Sequence, residues 1–388
     1  MHNSIHGDRM RQLRLAVSAT QTDISSQAFN HERNTLASRL ETGVGPVDDD
    51  IVQAVAFFLG CTPEFLASPP ADLLETKPWL RAYADAPAKL VETIVADNKL
   101  LAETVDRLQL RRIPETIPRF HGDANDPDDI ERHAQLVRGA AGLSETEVVR
   151  NVIRAAERLG VVVLPLTDEL GRHLGLSQYI DGVPHIRVSR PRSNVPGDRQ
   201  RFTVAHELGH LSLHAHLAPP ETAEEARLIE SQAHRFAGAF LTPRDALIDE
   251  LHRHDPSGRV TLQTLQLLKA DWGVAIKMLV VRFQQLNVIT PAHATSLYKQ
   301  ISKRGWNSGE PVTVGHEEPI WMSRALAKKW PEEVARERAS VVIGLDPSHF
   351  ARWLDWNVDM EAESDADVVS LREARSRRQA SPRTGANR

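Results

Sequence analysis

The sequence predicts an α+β protein that is mostly helical and divided into several domains. The chain has 388 residues, which is more than one ordinary domain holds. Apolar residues recur at helical spacing along most of it. The exceptions are an aliphatic run over 161–166, which predicts a buried strand, and the segment 176–188, which predicts a second strand or a hairpin that turns at Asp181 and Gly182.

Charge, cysteine content and hydropathy exclude several classes of protein. The formal net charge is -5, so any contact with nucleic acid must come from a local patch. A single cysteine, Cys61, excludes intrachain disulfides and thiolate zinc ribbons and suits a reducing compartment. The first residues lack a signal-peptide core, and no apolar run is long enough to cross a bilayer. We therefore predict a cytoplasmic protein with no membrane partner.

The segment 7–66 predicts a series of short helices. It resembles the XRE-type helix-turn-helix domain in Thr20-Gln21, in Ser-Arg-Leu-Glu-Thr-Gly at 38–43 and in the closing stretch 60–66. The resemblance implies that double-stranded DNA is contacted by Gln21, Arg33, Asn34, Ser38 and Arg39. The segment is net acidic, however, and DNA affinity rests mainly on phosphate neutralisation. A protein-docking helical module is therefore the alternative interpretation.

The segment 90–113 predicts a long connecting helix. Its apolar residues fall near heptad spacing, at Leu90, Ile94, Leu101, Val105 and Leu108. Asn98 interrupts this stripe, as polar residues that set register do in coiled coils. The stripe predicts either a homodimer or packing against the next domain.

The most informative stretch is 202–211, Phe-Thr-Val-Ala-His-Glu-Leu-Gly-His-Leu, an H-E-x-x-H motif in an apolar run. Four residues are just over one helical turn, so His206 and His210 share a face and can bind one metal ion. Zinc suits neutral imidazoles, and a catalytic zinc has three protein ligands and a water. Glu207 lies beside that face, where a carboxylate can accept a proton from such a water. We therefore predict one Zn²⁺ per chain, with Glu207 as the catalytic base.

Three downstream residues are candidates for the third ligand. His214 continues the four-residue spacing, although one straight helix rarely supplies three ligands to a tetrahedral ion. His216 lies where the pattern H-E-x-x-H-x-x-G-x-x-H has its last histidine, but Leu213 occupies the position of the glycine. Glu230 begins a further helical stretch, and a glutamate from a second helix gives a His₂Glu site.

The segments 201–210 and 230–243 together resemble the ImmA/IrrE family of metallopeptidases. The resemblance also includes 262–286 and, in members with an N-terminal XRE domain, 297–306, so that it spans most of 7–320. It implies a zincin-like metallopeptidase domain.

The resemblance also implies a role for each residue of the metal site. His206, His210 and Glu230 would bind the zinc ion, and Glu207 would be the base. His234 stands where the family usually has asparagine, four residues after Glu230 and on the same helical face. We expect His234 to support the ligands by hydrogen bonding, to donate a hydrogen bond to the oxyanion of the reaction, or to pack between helices.

The resemblance implies a peptidase that acts on a protein, namely a transcriptional repressor, and so regulates transcription under stress. The strand over 176–188 is the expected substrate edge, since an extended peptide can add to it by main-chain hydrogen bonds. One alternative is a DNA-binding regulator whose zinc domain is a sensor with little hydrolytic activity. Another is a peptidase whose N-terminal module docks proteins.

Composition and motif positions predict five segments along the chain. They are the helix-turn-helix domain at 1–70, a linker and long helical connector at 71–127, the metallopeptidase domain at 128–258, a helical region at 259–358 and a disordered tail at 359–388. The tail has acidic and then Arg-rich blocks.

Overall fold

The structure is a computed structural model that describes residues 4–29, 35–76, 78, 88–166, 175–191 and 195–356. Most of these residues are helical and three strands form a small sheet, so the predicted α+β class is confirmed. Among the described helices, none combines the length and the apolar character needed to cross a bilayer. The predicted tail at 359–388 lies outside the described residues.

Eight helices precede the sheet among the described residues: α1 (Gly7–Ala16), α2 (Gln21–Gln27), α3 (Leu36–Glu41), α4 (Asp49–Leu59), α5 (Pro63–Ala67), α6 (Ala88–Arg107), α7 (Pro127–Ala140) and α8 (Val152–Arg158). The helices that follow it are α9 (Gly197–Gly209), α10 (Ala223–Leu241), α11 (Arg244–His254), α12 (Leu262–Trp272), α13 (Ile276–Gln285), α14 (Pro291–Lys303), α15 (Trp321–Ala327), α16 (Ala335–Ile343) and α17 (Pro347–Leu354). A π-helix (His210–His214) continues α9, and a 3₁₀ turn (Glu332–Val334) precedes α16.

The sheet consists of β1 (Val162–Leu166), β2 (Gly175–Ile180) and β3 (Val183–Ser189) in the order β1-β3-β2. β1 runs parallel to β3, and β2 and β3 form an antiparallel hairpin. Asp181 and Gly182 make the turn with φ of 47° and 74°. Positive φ at both central residues is what a two-residue hairpin turn requires, and the predicted hairpin is therefore confirmed.

The sheet lies between two hydrophobic cores. The first core is formed mainly by α7 to α14 and includes Val163 of β1 and Ile186 of β3. The second core is formed by α1 to α6 and α15 to α17 and includes Val162 and Leu164 of β1. Alternate residues of β1 thus face opposite cores, as the period of two in a strand requires.

The N-terminal helices share the second core with the C-terminal helices. The backbone N–H of Thr62 donates to Gly344 O at 2.8 Å, and that of Asp346 donates to Gly60 O at 2.8 Å. Both glycines have positive φ, 64° at Gly60 and 82° at Gly344, which a residue without Cβ adopts at low cost. The predicted module at 1–70 is therefore packed against the far end of the described chain.

The apolar stripe of the connecting helix is buried within the chain. Ile94, Leu101 and Val105 are at most 4% exposed, and α6 packs against α1 and the sheet. Asn98 is fully buried and accepts a hydrogen bond from Arg187 Nε at 2.7 Å. The polar residue that interrupts the stripe therefore binds a residue of β3.

The motif Ser144-x-x-Glu147 has the pattern of a capping box and predicts a helix over 145–159, and this prediction is wrong for the first half of the range. Ser144 and Glu147 do form the reciprocal hydrogen bonds of a capping box. The Arg138 guanidinium, however, donates to the carbonyl oxygens of both residues at 2.8 and 2.5 Å, so these carbonyls are engaged by a side chain. The helix α8 begins only after Asn151, whose side chain caps it.

Asp97 of α6 joins three elements inside the second core. Its carboxylate accepts from Arg187 Nη2 at 2.6 Å and from Trp353 Nε1 at 3.1 Å, and it pairs with Arg352. Burial alone would raise the pKa of Asp97, but the guanidinium groups of Arg352 and Arg187 outweigh it and hold the pKa below its ordinary value. This cluster connects α6, β3 and α17.

We predict that Asp97→Asn lowers the free energy of unfolding by about 3–5 kcal/mol, because it leaves the buried guanidinium of Arg187 and the partly buried guanidinium of Arg352 without their carboxylate. The matched control is Asp106→Asn. It removes the carboxylate that pairs with Arg112, and this carboxylate is 54% exposed. The control should cost less than about 1 kcal/mol. Urea denaturation of both variants measures the difference, and equal losses would contradict the role given to the cluster.

Candidate metal centre

The H-E-x-x-H motif lies where α9 passes into the π-helix. His206 and Glu207 are in α9, which starts at Gly197, and His210 opens the π-helix. Single turns of π-helix are rare and occur frequently at functional sites. All three side chains are buried, at no more than 5% exposure.

The helix α10 brings Glu230 to the motif. A capping box of Thr222 and Glu225 starts this helix, so Glu230 lies within it rather than at its beginning. Gly209 then allows α10 to pack closely, because a Cβ at that position would lie 3.0 Å from the Phe236 ring and 3.3 Å from Ala233 Cα. The two helices therefore approach more closely than larger residues would permit.

The three predicted ligands face one point. His206 Nε2 and His210 Nε2 are 3.1 Å apart. One carboxylate oxygen of Glu230 lies 3.3 Å from His206 Nε2, and the other lies 3.3 Å from His210 Nε2. Ligand atoms about 2.05 Å from a zinc ion at tetrahedral angles are about 3.3 Å apart. The donor atoms therefore fit a zinc ion in both element and spacing.

The protonation states also suit a metal site. Burial lowers the pKa of His206 to about 3, so its imidazole is neutral at pH 7. Burial alone would raise the pKa of Glu230, but hydrogen bonds with His206 and His210 outweigh it and keep that pKa well below its ordinary value. Neutral imidazoles and an ionised carboxylate are the forms that bind metal ions.

Glu207 is held against the sheet. Ser177 Oγ of β2 donates to Glu207 Oε2 at 2.7 Å, and both residues are buried. Gly175 makes room for the carboxylate, since a Cβ there would lie 2.9 Å from Glu207 Oε1 and 2.5 Å from Thr203 Cγ2. The catalytic base of the prediction thus lies next to the edge strand.

The other candidates for the third ligand have different environments. His214 Nε2 is 3.0 Å from Gln232 Oε1, and His214 Nδ1 is 3.1 Å from His210 Nδ1. His210 Nδ1 is on the edge of the His210 ring that faces away from Glu230. His216 is exposed after the π-helix. Neither residue belongs to the group whose ligand atoms converge with those of His210 and Glu230.

His234 lies beside the ligands. Its ring is edge-on to His206 with centroids 4.6 Å apart, and its Nδ1 is 2.9 Å from Glu230 O of its own helix. Phe202 completes this side at 5.4 Å from the His234 ring. His234 therefore contacts a ligand ring and the backbone of the third ligand.

A second group of possible ligands occurs among the described residues, at the surface. Glu250 and His254 of α11 lie near Asp271 of α12, and His254 Nε2 is 2.6 Å from Asp271 Oδ2. These side chains are 16%, 23% and 41% exposed. The His254–Asp271 pair accounts for this group as a link between the two helices.

The residues predicted to contact DNA are only partly described. Ser38 and Arg39 are exposed on α3, as DNA-contacting residues must be. Gln21 Nε2 instead donates to Glu41 Oε2 at 2.8 Å, within the module. The other two predicted contacts, Arg33 and Asn34, lie outside the described residues.

The sequence analysis did not identify Ser177 or Gly175 as site residues. Both are in β2, about 30 residues before the motif, and no local pattern links them to Glu207. The only available signal was the prediction that this strand forms the substrate edge.

A family model described as Peptidase_M78, the IrrE N-terminal-like domain, matches residues 156–284. Comparison with curated proteins and with solved structures gives no match. The matched range includes the sheet, His206, Glu207, His210 and Glu230, and it excludes the N-terminal helices and α14 to α17. The match therefore supports an ImmA/IrrE-type peptidase domain in the part of the chain that carries the metal centre.

Proposed function

We propose that the protein is a cytoplasmic, zinc-dependent peptidase of the H-E-x-x-H…E type. His206, His210 and Glu230 hold the zinc ion in this proposal. The observation that carries it is the spacing of the donor atoms, 3.1 Å between the imidazole nitrogens and 3.3 Å from each to a carboxylate oxygen. A zinc ion bound there would polarise the peptide carbonyl and lower the pKa of a water molecule.

Glu207 acts as the general base and then as the general acid. It accepts a proton from the attacking water and gives that proton to the leaving amine. The hydrogen bond from Ser177 Oγ orients its carboxylate. Because Glu207 is adjacent to a ligand without being one, it is available for proton transfer.

The edge of β2 binds the substrate as an added strand. β2 is at one side of the sheet, and its hydrogen bonds to β3 use only one of its edges. The described segment 74–76 already pairs with part of the outer edge, through Thr76 N to Tyr179 O at 3.0 Å and Asp181 N to Leu74 O at 2.7 Å. This pairing supports the capacity of the edge to add a strand.

We further propose that the substrate is a repressor protein and that the N-terminal module binds double-stranded DNA, which makes the protein a transcriptional regulator. The exposure of Ser38 and Arg39 on α3 supports DNA contact. A DNA-binding homodimer would need a surface other than the α6 stripe, which is buried within the chain. The rival functions are a zinc-domain sensor without hydrolytic activity and a docking module at the N-terminus.

Loss of a residue that is hydrogen-bonded to a metal ligand weakens metal binding by about 10–100-fold. Glu230→Gln should weaken zinc binding by more than this, because it removes a charged ligand directly. His216→Ala should leave zinc affinity unchanged, since His216 is exposed and outside the site. Competition with a zinc chelator measures both. The ligand assignment is wrong if His216→Ala releases the ion and Glu230→Gln keeps it.

Glu207→Gln should retain zinc and the native fold but lower peptide cleavage by about 10²–10⁴-fold, because an amide cannot accept the proton of the water. The test compares new N-termini, identified by mass spectrometry, after the zinc-loaded protein or its variant is incubated with soluble cell extract. A repressor among the cleaved proteins is the expected result. Unchanged cleavage by the variant would exclude Glu207 as the base, and the absence of cleavage by the unmodified protein would favour the sensor.

Arg39→Ala should weaken specific DNA binding by about 1–3 kcal/mol if its guanidinium contacts a base. The full chain is required, because the N-terminal helices share a core with α15 to α17. Titrations on DNA upstream of the protein's own gene, at two salt concentrations, measure the affinity. Arg338→Ala, at an exposed position of α16, is the control. Equal affinity for that DNA and for random sequence would instead indicate a docking module.

A further inference from the structure

A cavity of about 680 Å³ lies directly beside the metal centre. Phe202 and His234 form its inner wall, and both rings contact His206, with centroid distances of 6.4 and 4.6 Å. Its volume is within the range of sites that enclose ligands, and it exceeds that of any single side chain. A group bound there would lie next to the atoms that react.

Apolar and aromatic side chains contribute most of the cavity surface, and they include Phe202, Met278, Val281, Trp306, Val312 and Val314. Two buried cations in the wall are already neutralised: Lys269 lies 2.9 Å from Glu310 Oε2, and Arg282 Nη2 donates to Glu131 Oε2 at 2.7 Å. The lining also includes the cations Arg199 and Lys277, but both are exposed to solvent, where a charge pair contributes little. An apolar side chain, by contrast, gains from burial against the apolar surface.

One wall of the cavity comes from the segment 306–314, outside the range that the family model matches. Two carboxylates hold this segment in place. Glu310, within the segment and partly buried, accepts from Ile276 N at 2.8 Å, and the buried Glu317, three residues after it, accepts from Val152 N at 2.6 Å. The wall is therefore held in place before any ligand binds, which lowers the entropic cost of binding.

A peptide bound along the edge of β2 would extend towards this cavity. The segment 74–76 pairs antiparallel with the outer edge near Ile180. A peptide in the same orientation would have its N-terminal part near Ile180 and its C-terminal part beyond Gly175. Gly175 lies against Thr203, the neighbour of Phe202 in α9. The residue that follows the cleaved bond is thus the one that reaches the cavity.

We propose that this cavity is a specificity pocket for a large apolar side chain, such as leucine, methionine or phenylalanine, at the position just after the cleaved bond. The proposal rests on the peptidase function proposed above. It assigns a substrate-selecting role to the segment 306–314 and to Met278 and Val281 of α13. Replacing the large side chain by alanine in a substrate lowers kcat/KM by about 10–100-fold.

The test uses the zinc-loaded full chain and a library of denatured peptides prepared from cell extract. Mass spectrometry then identifies the residue after each cleaved bond. The unmodified protein should favour large apolar residues there. Val281→Trp places a large ring in the cavity and narrows it, from a position that is 43% exposed, so it should shift the preference to smaller residues such as glycine, alanine and serine. Val341→Trp, at an 81% exposed position of α16, is the matched control and should keep the original preference.

Two further measurements separate the possible failures. Met278→Ala enlarges the pocket and should shift the preference towards tryptophan and phenylalanine, which tests the pocket even if Val281→Trp does not fold. In the Glu207→Gln background, a fluorescent peptide with leucine after the bond should bind about 10–100-fold more tightly than its alanine counterpart. Cleavage with no apolar preference, or with a preference that neither variant changes, overturns the pocket. If none of the observed cleavage depends on Glu207, the peptidase function itself is overturned.

Discussion

Close packing between α9 and α10 is the constraint on which the candidate metal centre depends. A Cβ at Gly209 would lie only 3.0 Å from the Phe236 ring and 3.3 Å from Ala233 Cα, so a side chain there would require α10 to move away from α9 by a few tenths of an ångström. Separation would carry Glu230 away from both imidazoles. It would also admit water to His206. Burial is the largest cause of the low pKa of this residue, about 3. The arrangement of the predicted ligands and the neutral state of His206 thus both depend on the close packing of α9 and α10.

Buried charges connect the parts of the chain that surround this centre. Arg9 of α1 pairs with Glu103 of α6 at 2.6 Å, and Asp97 of the same helix binds Arg187 of β3. Each pair repays the cost of desolvation only because both partners are present and well oriented. β3 in turn pairs with β2, which carries Ser177. The N-terminal helices therefore have a continuous structural connection to the strand that contacts Glu207.

The outer edge of β2 has two halves with different surroundings. Near Ile180 it is paired with the segment 74–76. Near Gly175 and Ser177 no segment among the described residues pairs with it. Backbone groups point to one edge at every second residue, so Gly175 and Ser177 direct theirs to the same side as Tyr179. A peptide that adds to β2, as proposed, would therefore pair with the half of the edge closest to Glu207.

The sequence by itself determined the features that depend on local spacing. Residues four apart share a helical face, so the motif alone predicted that His206 and His210 lie together with Glu207 beside them. The turn residues Asp181 and Gly182 likewise predicted the hairpin. Tertiary structure decided which contacts form between distant residues. Ser177 and Glu207 are 30 positions apart, and Asn98 and Arg187 are 89 apart. No local pattern specifies such pairs, because they depend on how the helices and the sheet pack together.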